Sequence, residues 1–165
     1  MADVTDPSTD TDEVMRDLMQ AAFAGVPIHD LIGIDLKEVG GGRAVVEIPL
    51  AGGALSSFGT LHGGAVAVLL DVTCAAAAST ATSVDHSTHT LVTADLHVRY
   101  LGRARGESVR AEARVVKGGR SLIVIEADVT DGTGAVVAVA DMAMSVVPHA
   151  RQAPDPARSA GSDGA

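Results

Sequence analysis

The sequence has very few aromatic residues and one cysteine. Tryptophan is absent, and aromatic residues make up 2% of the 165 positions. Base stacking and aromatic cages need aromatic surfaces, so neither is expected here. A single cysteine, Cys74, excludes an intrachain disulfide and is typical of a protein of the reducing cytoplasm. Because Cys74 lies in an apolar run without a basic neighbour, we expect a small buried core residue and not a reactive thiol.

Positive charge is also scarce. The chain has 12 Lys and Arg against 21 Asp and Glu, a net charge of −9. No basic stripe is dense enough for nucleic acid to be the main partner. The acidic N-terminus has neither a basic region nor an apolar core, so no signal peptide is predicted. The apolar run from Leu61 to Thr82 carries Asp71 at its centre. Placing this charge in the middle of a membrane would cost about 3 kcal/mol, so the run is predicted to be a buried helix. No membrane partner is expected.

The length and the hydrophobic content of 47% are those of one domain with a substantial core. Residues 1–11 and 149–165 are rich in Ser, Asp, Pro, Gly and Ala, which predicts two disordered tails around a domain spanning 12–148. The domain is expected to open with a short amphipathic helix from Asp12 to Gly25, with Pro27 as a stop signal.

Apolar periodicity and glycine-rich turns predict six strands and one long helix. The helix runs from Gly63 to about Thr82, and two strands come before it and four after it. This order predicts an α+β domain in which a long central helix is wrapped by a curved antiparallel sheet. The predicted strands are Leu31–Val39, Arg43–Leu50, Thr90–Leu101, Glu107–Lys117, Ser121–Asp131 and Ala135–Val147.

The long helix carries two groups that point to chemistry. It opens with His62-Gly63-Gly64, and glycines at a helix N-terminus let a ligand approach backbone N–H groups that have no intrahelical partner. Such a donor can stabilise negative charge on a carbonyl oxygen. Asp71 is a lone carboxylate on an otherwise apolar helix. Burying such a charge is costly, so Asp71 is either unusually well satisfied by partners or kept for chemistry. Together they suggest acyl transfer or hydrolysis.

The motif Gly59-Thr-Leu-His62-Gly-Gly64, with Asp71 nine residues after the histidine, resembles the signature of the hotdog-fold acyl-CoA thioesterases of the PaaI-like branch. The resemblance spans roughly residues 28–147. It implies a hotdog fold and hydrolysis of a thioester with no cofactor, since CoA is part of the substrate. It also implies that the backbone N–H of Gly64 binds the thioester carbonyl, with Gly63 beside the substrate, and that Asp71 acts as nucleophile or general base.

Three further positions are expected at this site. The family usually has Asn six residues before the histidine, where this chain has Ser56. The Ser or Thr that the family often has on the strand after the helix corresponds to Thr93. Simple alternation, however, places Thr93 on the polar face of its strand with Asp95, His97 and Arg99. His62 is expected to hold the Gly-Gly turn by a hydrogen bond, in preference to acting as a general base.

The spacing along the helix predicts an oligomer. Gly64 and Asp71 are seven residues apart, which is about 10 Å along one helix, too far for both to touch one thioester carbon. An antiparallel neighbour across a two-fold axis would join them, so we expect a homodimer or a dimer of dimers with composite sites. The basic residues Arg99, Arg103, Lys117 and Arg120 are explained equally well by solvated strand ends and by a binding site for the CoA phosphates.

The leading hypothesis is a cytoplasmic acyl-CoA thioesterase, whose acyl group the sequence does not name. One alternative is a catalytically weak acyl-CoA or acyl-carrier binding protein, which Ser56 in place of Asn encourages. The other is a hotdog hydratase or dehydratase, although its usual Asp/His or His/Glu pattern is absent from the sequence. Asp85, His86 and His89 fall in one loop but lack a recognisable ligand motif, so no metal site is predicted.

Overall fold

The computed structural model describes residues 17–81 and 83–149. The predicted N-terminal tail, and the C-terminal one apart from His149, therefore lie outside the described residues. Of the predicted helix Asp12–Gly25, the described part is helical over residues 17–23, named α1 here.

One long helix packs against a single six-stranded sheet. Neighbouring strands are all antiparallel. Numbered along the chain, they lie in the order first, second, fourth, fifth, sixth, third, which leaves the first and the third strand at the edges. The predicted arrangement of two strands, one long helix and four strands is confirmed. The remaining elements are α2 (Pro27–Ile32), β1 (Asp35–Gly40), β2 (Arg43–Pro49), a 3-10 turn (Gly52–Ala54), α3 (Gly63–Ser79), β3 (His89–Tyr100), β4 (Ser108–Gly118), β5 (Leu122–Asp131) and β6 (Val136–Pro148).

Helix α3 is the centre of the core. Ten of its 17 residues are buried, and Leu69, Leu70 and Cys74 have no exposed surface. Small side chains in its second half let the sheet approach closely. Burial, with a smaller contribution from the charge of Asp71, raises the pKa of the Cys74 thiol to about 12, so the expected inert core cysteine is confirmed. In the described part of the chain no helix is both long and apolar enough to span a membrane.

The first predicted strand, Leu31–Val39, is wrong at its start. Residues up to Ile32 are helical, because Pro27 begins α2 at the first helical position, where its missing N–H costs nothing. Gly33 closes α2 with a φ of 74°, a conformation that suits glycine. Strand β1 therefore starts at Asp35.

Strand β3 contains a β-bulge that changes which side chains face α3. Thr93 pairs with Met144 and Asp95 with Ala143, so Ala94 is an extra residue on the β3 side. Before the bulge, Leu91 packs on the core and Thr93 contacts α3. After it, the residues that contact the core or α3 are even-numbered: Leu96, Val98 and Tyr100.

The β5–β6 hairpin is held by a buried carboxylate. Asp131 is 7% exposed and accepts hydrogen bonds from the Thr133 hydroxyl and from the backbone N–H groups of Thr133, Ala135 and Arg105. The Thr133 hydroxyl, and then the backbone donors, lower the pKa of Asp131 to about 2. The predicted turn is confirmed, and one aspartate also ties the β3–β4 connection to it.

Candidate active site

His62 caps α3 through its imidazole. Its Nδ1 accepts the backbone N–H of Gly64 at 2.8 Å, and its own backbone N–H donates to the Ala54 carbonyl at 2.9 Å. The expectation that His62 holds the Gly-Gly turn is confirmed. Since Nδ1 is the acceptor, a neutral imidazole carries its proton on Nε2. This exposed side chain therefore also presents an N–H donor at Nε2.

The two glycines of the motif differ in what their backbone groups do. The N–H of Gly64 is occupied by His62, whereas the N–H of Gly63 has no acceptor among the described residues. Gly63 occupies the first helical position, where an N–H has no intrahelical partner. Its carbonyl oxygen accepts the Tyr100 hydroxyl at 2.9 Å. The donor left free at the head of α3 thus belongs to Gly63, one residue before the predicted Gly64.

A cavity of about 290 Å³ lies between this first turn and the end of β3. Apolar side chains from α3, β6 and the preceding loop form much of its wall, and the guanidinium of Arg103 supplies the one ionised group among the lining residues. Its apolar wall suits an apolar segment of a ligand, and Gly63 is among the residues that line it. Its lining is Thr60, Leu61, Gly63, Val66, Tyr100, Gly102, Arg103, Ala104 and Val137.

Asp71 lies half-buried on the flank of α3 and has one hydrogen-bond donor. The Thr93 hydroxyl donates to Asp71 Oδ1 at 3.0 Å. The bulge at Ala94 makes this contact possible, so the alternation that placed Thr93 on the outer face with Asp95 and His97 is wrong for Thr93. The bond holds one carboxylate oxygen, while Oδ2 has no donor among the residues described and is available to a substrate or a water.

The free N–H and the carboxylate do not meet within one chain. Asp71 follows Gly63 by eight residues, which is about 12 Å along an α-helix. Neither Thr93 nor His62 contacts both groups. One chain therefore carries the two halves of the candidate site at separate positions on α3.

Ser56 belongs to the loop before α3. Its hydroxyl lies 3.0 Å from the Thr60 hydroxyl and accepts the Phe58 N–H at 3.3 Å. Its backbone N–H donates to the Thr60 carbonyl at 2.7 Å. Ser56 contacts neither Gly63 nor Asp71, so within one chain its hydroxyl shapes a turn whose tip exposes Phe58.

Two of the predicted basic residues lie near the first turn of α3 but on different surfaces. Arg103 lines the cavity beside Gly63. Arg99 lies on the outer face of the sheet, where its guanidinium is 3.6 Å from Asp141 on the neighbouring strand β6. Arg103 is therefore the one placed to contact a ligand at this turn.

The other two basic residues lie at the opposite end of α3. Lys117 and Arg120 are exposed on the β4–β5 hairpin. This hairpin packs against the segment after α3, where a Cβ on Gly118 would come within 2.6 Å of Ser83 Oγ. A single chain therefore does not bring Lys117 and Arg120 together with Arg103.

The loop after α3 satisfies its polar groups internally. Asp85 accepts from Ser87 and Thr88, which lowers the pKa of its carboxyl group. His86 Nε2 lies 2.9 Å from the Ser79 carbonyl oxygen. Across the described ranges, no three His, Cys, Asp or Glu side chains are grouped so as to hold a metal ion.

Tyr100 was missed by the sequence reasoning. It is the only tyrosine of the chain, at the end of β3. Alternation alone places it with Leu96 and Val98, two residues that continue the apolar face of the strand. That spacing was the signal that could have assigned Tyr100 to the helix-facing side.

A long helix wrapped by a six-stranded antiparallel sheet, with a glycine-rich N-terminus and a carboxylate on its flank, defines the hotdog class of thioesterases. The chain belongs to the thioesterase superfamily, whose family model matches residues 58–145. The prediction of a hotdog-fold thioesterase is confirmed.

Individual relatives agree with this assignment. A crystallised variant of the thioesterase PA1618 from Pseudomonas aeruginosa is 27% identical, with a TM-score of 0.74 over 81% of this chain and 94% of that one. ComA2 of Bacillus subtilis (strain 168), described as a candidate esterase, is 27% identical over 118 residues, which is 72% of this chain and 92% of ComA2. The PaaI protein of Escherichia coli, 18% identical with a TM-score of 0.71 over 82% and 95% of the two chains, shares the fold.

Proposed function

We propose that this protein is an acyl-CoA thioesterase whose active sites are shared between two subunits. The observation that carries the proposal is the Asp71 carboxylate, held at one oxygen by Thr93, on the same helix whose first turn presents the free N–H of Gly63. Thioester hydrolysis needs both groups, one to stabilise negative charge on oxygen and one to deliver a nucleophile.

The Gly63 N–H donates to the thioester carbonyl oxygen, and the positive end of the α3 dipole adds to this stabilisation. Asp71 takes a proton from a water molecule as the water oxygen adds to the carbonyl carbon. The tetrahedral intermediate then expels the CoA thiolate, which recovers the proton, so that a carboxylic acid and free CoA leave. In the nucleophilic variant, Asp71 adds to the carbonyl carbon and the CoA thiolate is expelled, which leaves a mixed anhydride. Water then hydrolyses the anhydride, releasing the carboxylic acid, restoring the Asp71 carboxylate and supplying the proton that the thiolate takes up.

The separation of about 12 Å between Gly63 and Asp71 supports a dimer. Strand β3 is an edge strand, and pairing two β3 edges antiparallel about a two-fold axis would continue the sheet and set the two α3 helices side by side in opposite directions. Asp71 of one subunit would then face Gly63 of the other.

The same arrangement accounts for the basic residues that lie at opposite ends of α3 within one chain. Opposed α3 helices bring the N-terminal end of one subunit near the C-terminal end of the other. Arg103 of one subunit would then approach Lys117 and Arg120 of its partner, at the mouth of a shared site. Phosphate groups such as those of CoA are the ligands that such side chains favour.

The test is a hydrolysis panel of aryl, short-chain and long-chain acyl-CoAs, each with its acyl-pantetheine counterpart, followed by thiol release. We expect turnover of at least one acyl-CoA, and a higher KM for the pantetheine thioester, which lacks the nucleotide phosphates. Absence of turnover across the panel would contradict the proposal. Equal KM values would contradict the role of the basic residues alone.

A second candidate is a weakly catalytic acyl-CoA binding protein. The observation in its favour is that the Ser56 hydroxyl is engaged with Thr60 and Phe58. The family that this chain resembles usually has Asn at this position, whose carboxamide Ser56 does not replace. Calorimetry with a non-hydrolysable thioether analogue distinguishes the two candidates. Binding to this analogue with no turnover of the matching thioester would select the binding protein.

A further inference from the structure

The peptide unit between Gly63 and Gly64 is held at both of its polar atoms. Its carbonyl oxygen accepts the Tyr100 hydroxyl at 2.9 Å, and its N–H donates to His62 Nδ1 at 2.8 Å. A peptide unit is planar, so hydrogen bonds at its two ends fix its rotation about the adjoining backbone bonds. Two side chains from different elements, the N-cap of α3 and the end of β3, thus restrain one peptide plane.

This plane lies in the first turn of α3, where the helix itself holds the carbonyl oxygens but not the N–H groups. Glycine has access to more backbone conformations than any other residue, and here two glycines stand in succession. The first N–H groups of a helix have no intrahelical acceptors to hold them. The Gly63 N–H belongs to the preceding peptide plane, and the φ and ψ angles of Gly63 set its orientation relative to the plane that His62 and Tyr100 hold.

Steric contacts explain why both side chains can hold this plane. A Cβ added to Gly63 would lie 3.6 Å from the Tyr100 ring, an ordinary van der Waals distance, so the ring lies next to the place that a side chain at position 63 would take. A Cβ on Gly64 would lie 2.9 Å from His62 Nδ1, which is closer than real contacts allow. Glycine at position 64 therefore leaves the imidazole room to accept its N–H.

We infer that Tyr100 is a positioning residue that, opposite His62, locks the Gly63–Gly64 peptide so that the Gly63 N–H is aimed at the substrate carbonyl oxygen. The inference rests on the proposed function for the role of that N–H. The two hydrogen bonds are observed independently of it. Tyr100 acts through Gly63 and does not take part in the chemical steps.

The kinetic test is Tyr100→Phe, which keeps the ring and removes the hydroxyl. Loss of one hydrogen bond that orients the donor should lower kcat about two- to tenfold, while KM stays near the wild-type value because the ring still lines the cavity. The matched control is Ser79→Ala, which removes a hydroxyl that donates to the Ala75 carbonyl at the other end of α3, and kcat should not change. A wild-type kcat in Tyr100→Phe would overturn the inference.

A second readout does not depend on activity. Glycine labelled with ¹³C at the carbonyl and ¹⁵N at the amide gives signals only from Gly–Gly peptides in a carbonyl–amide correlation spectrum. The signal of the Gly63–Gly64 peptide is identified as the one that disappears in Gly64→Ala. Tyr100→Phe should move the Gly63 carbonyl carbon upfield, and Ser79→Ala should leave it unchanged. An unmoved Gly63 signal would overturn the inference whatever the kinetics show. Wild-type protein inactive on every thioester would overturn the proposed function, and the carbonyl signal would still decide whether Tyr100 holds this peptide.

Discussion

The first turn of α3 and the middle of the same helix present their chemistry in different ways. At the first turn the proposed active group is a backbone N–H, and the side chains of His62 and Tyr100 hold the peptide unit next to it. In the middle the proposed active group is a side chain, Asp71, and a single hydroxyl donates to it. Every residue except proline has an N–H, so a substitution affects the first group through the bulk it places beside it, whereas the second group is lost with a single side chain. About 12 Å separates them along one helix, which is the basis for proposing that they combine across two subunits.

The largest expected effect is at the middle of the helix. Asp71→Asn keeps the shape of the side chain and removes its charge and basicity, so kcat should fall at least about 10²-fold. Steady-state thiol release measures the loss, and circular dichroism verifies the fold. The matched control is Asp95→Asn on the outer side of β3, which should leave kcat unchanged. Near-normal turnover by folded Asp71→Asn would remove Asp71 from the mechanism.

Mixing two inactive variants tests whether the two regions act across subunits. Asp71→Asn retains the Gly63 N–H, and Gly63→Val retains Asp71 while placing bulk beside the N–H. A heterodimer of the two contains one intact site and one doubly defective site. After complete exchange, half of the dimers are mixed, so activity should reach roughly a quarter of the wild-type value.

Mass spectrometry of differently tagged chains establishes that exchange in this experiment is complete. Each variant incubated alone under the same conditions is the control and should stay at background. Background activity in a fully exchanged mixture would mean that the two groups do not combine across a two-fold axis.

Thr93→Val is expected to have a smaller effect than Asp71→Asn. It keeps the size and β-branching of the side chain and removes the donor to Asp71, and hydrogen bonds to a charged group support a loss of about tenfold in kcat. Thr90→Val, an exposed position on the same strand, is the control. Equal kcat values for the two variants would show that the Thr93 bond has no role in turnover.

The smallest effect on turnover, but a clear effect on stability, is expected far from both regions. Asp131→Asn removes a charge held by four donors in the β5–β6 hairpin, so the thermal midpoint should fall at pH 7 while kcat changes little. A pKa lowered from 3.8 to about 2 means that the ionised form stabilises the fold above pH 4, and that this stabilisation is lost as the pH falls towards 2. The difference in midpoint between wild type and variant should therefore shrink over that range. A difference independent of pH would contradict the role of the charge.

The parts of the fold that were predictable follow local rules. Apolar periodicity and the glycines around residues 40–42, 118–119 and 132–134 placed the six strands within a few residues of their observed ends. Helix α3 begins at Gly63 as predicted, because the N-cap and the glycine pair are adjacent in sequence. Pro27 was read as the end of one helix, although proline is equally compatible with the beginning of the next.

The parts of the site that were not predictable depend on contacts between elements. Thr93 reaches Asp71 because β3 gains one residue relative to β6, and nothing within β3 itself marks Ala94 as that residue. The choice between the Gly63 and Gly64 amides depends on the orientation of one imidazole ring, which spacing in the sequence does not determine.

The bulge at Ala94 has a consequence for comparing this chain with its relatives. A strand has two faces, so one inserted residue reverses the parity that links residue number to face. A relative without the bulge would align with β3 correctly only if a one-residue gap is opened at position 94. Without that gap, Thr93 or Tyr100 would be equated with a position on the opposite face, and substitution patterns at the site would be assigned to the wrong side of the sheet. Deleting Ala94 should have the corresponding physical result: it would restore one-to-one pairing with β6 and leave the side chains of Thr93 and Tyr100 on the helix-facing side.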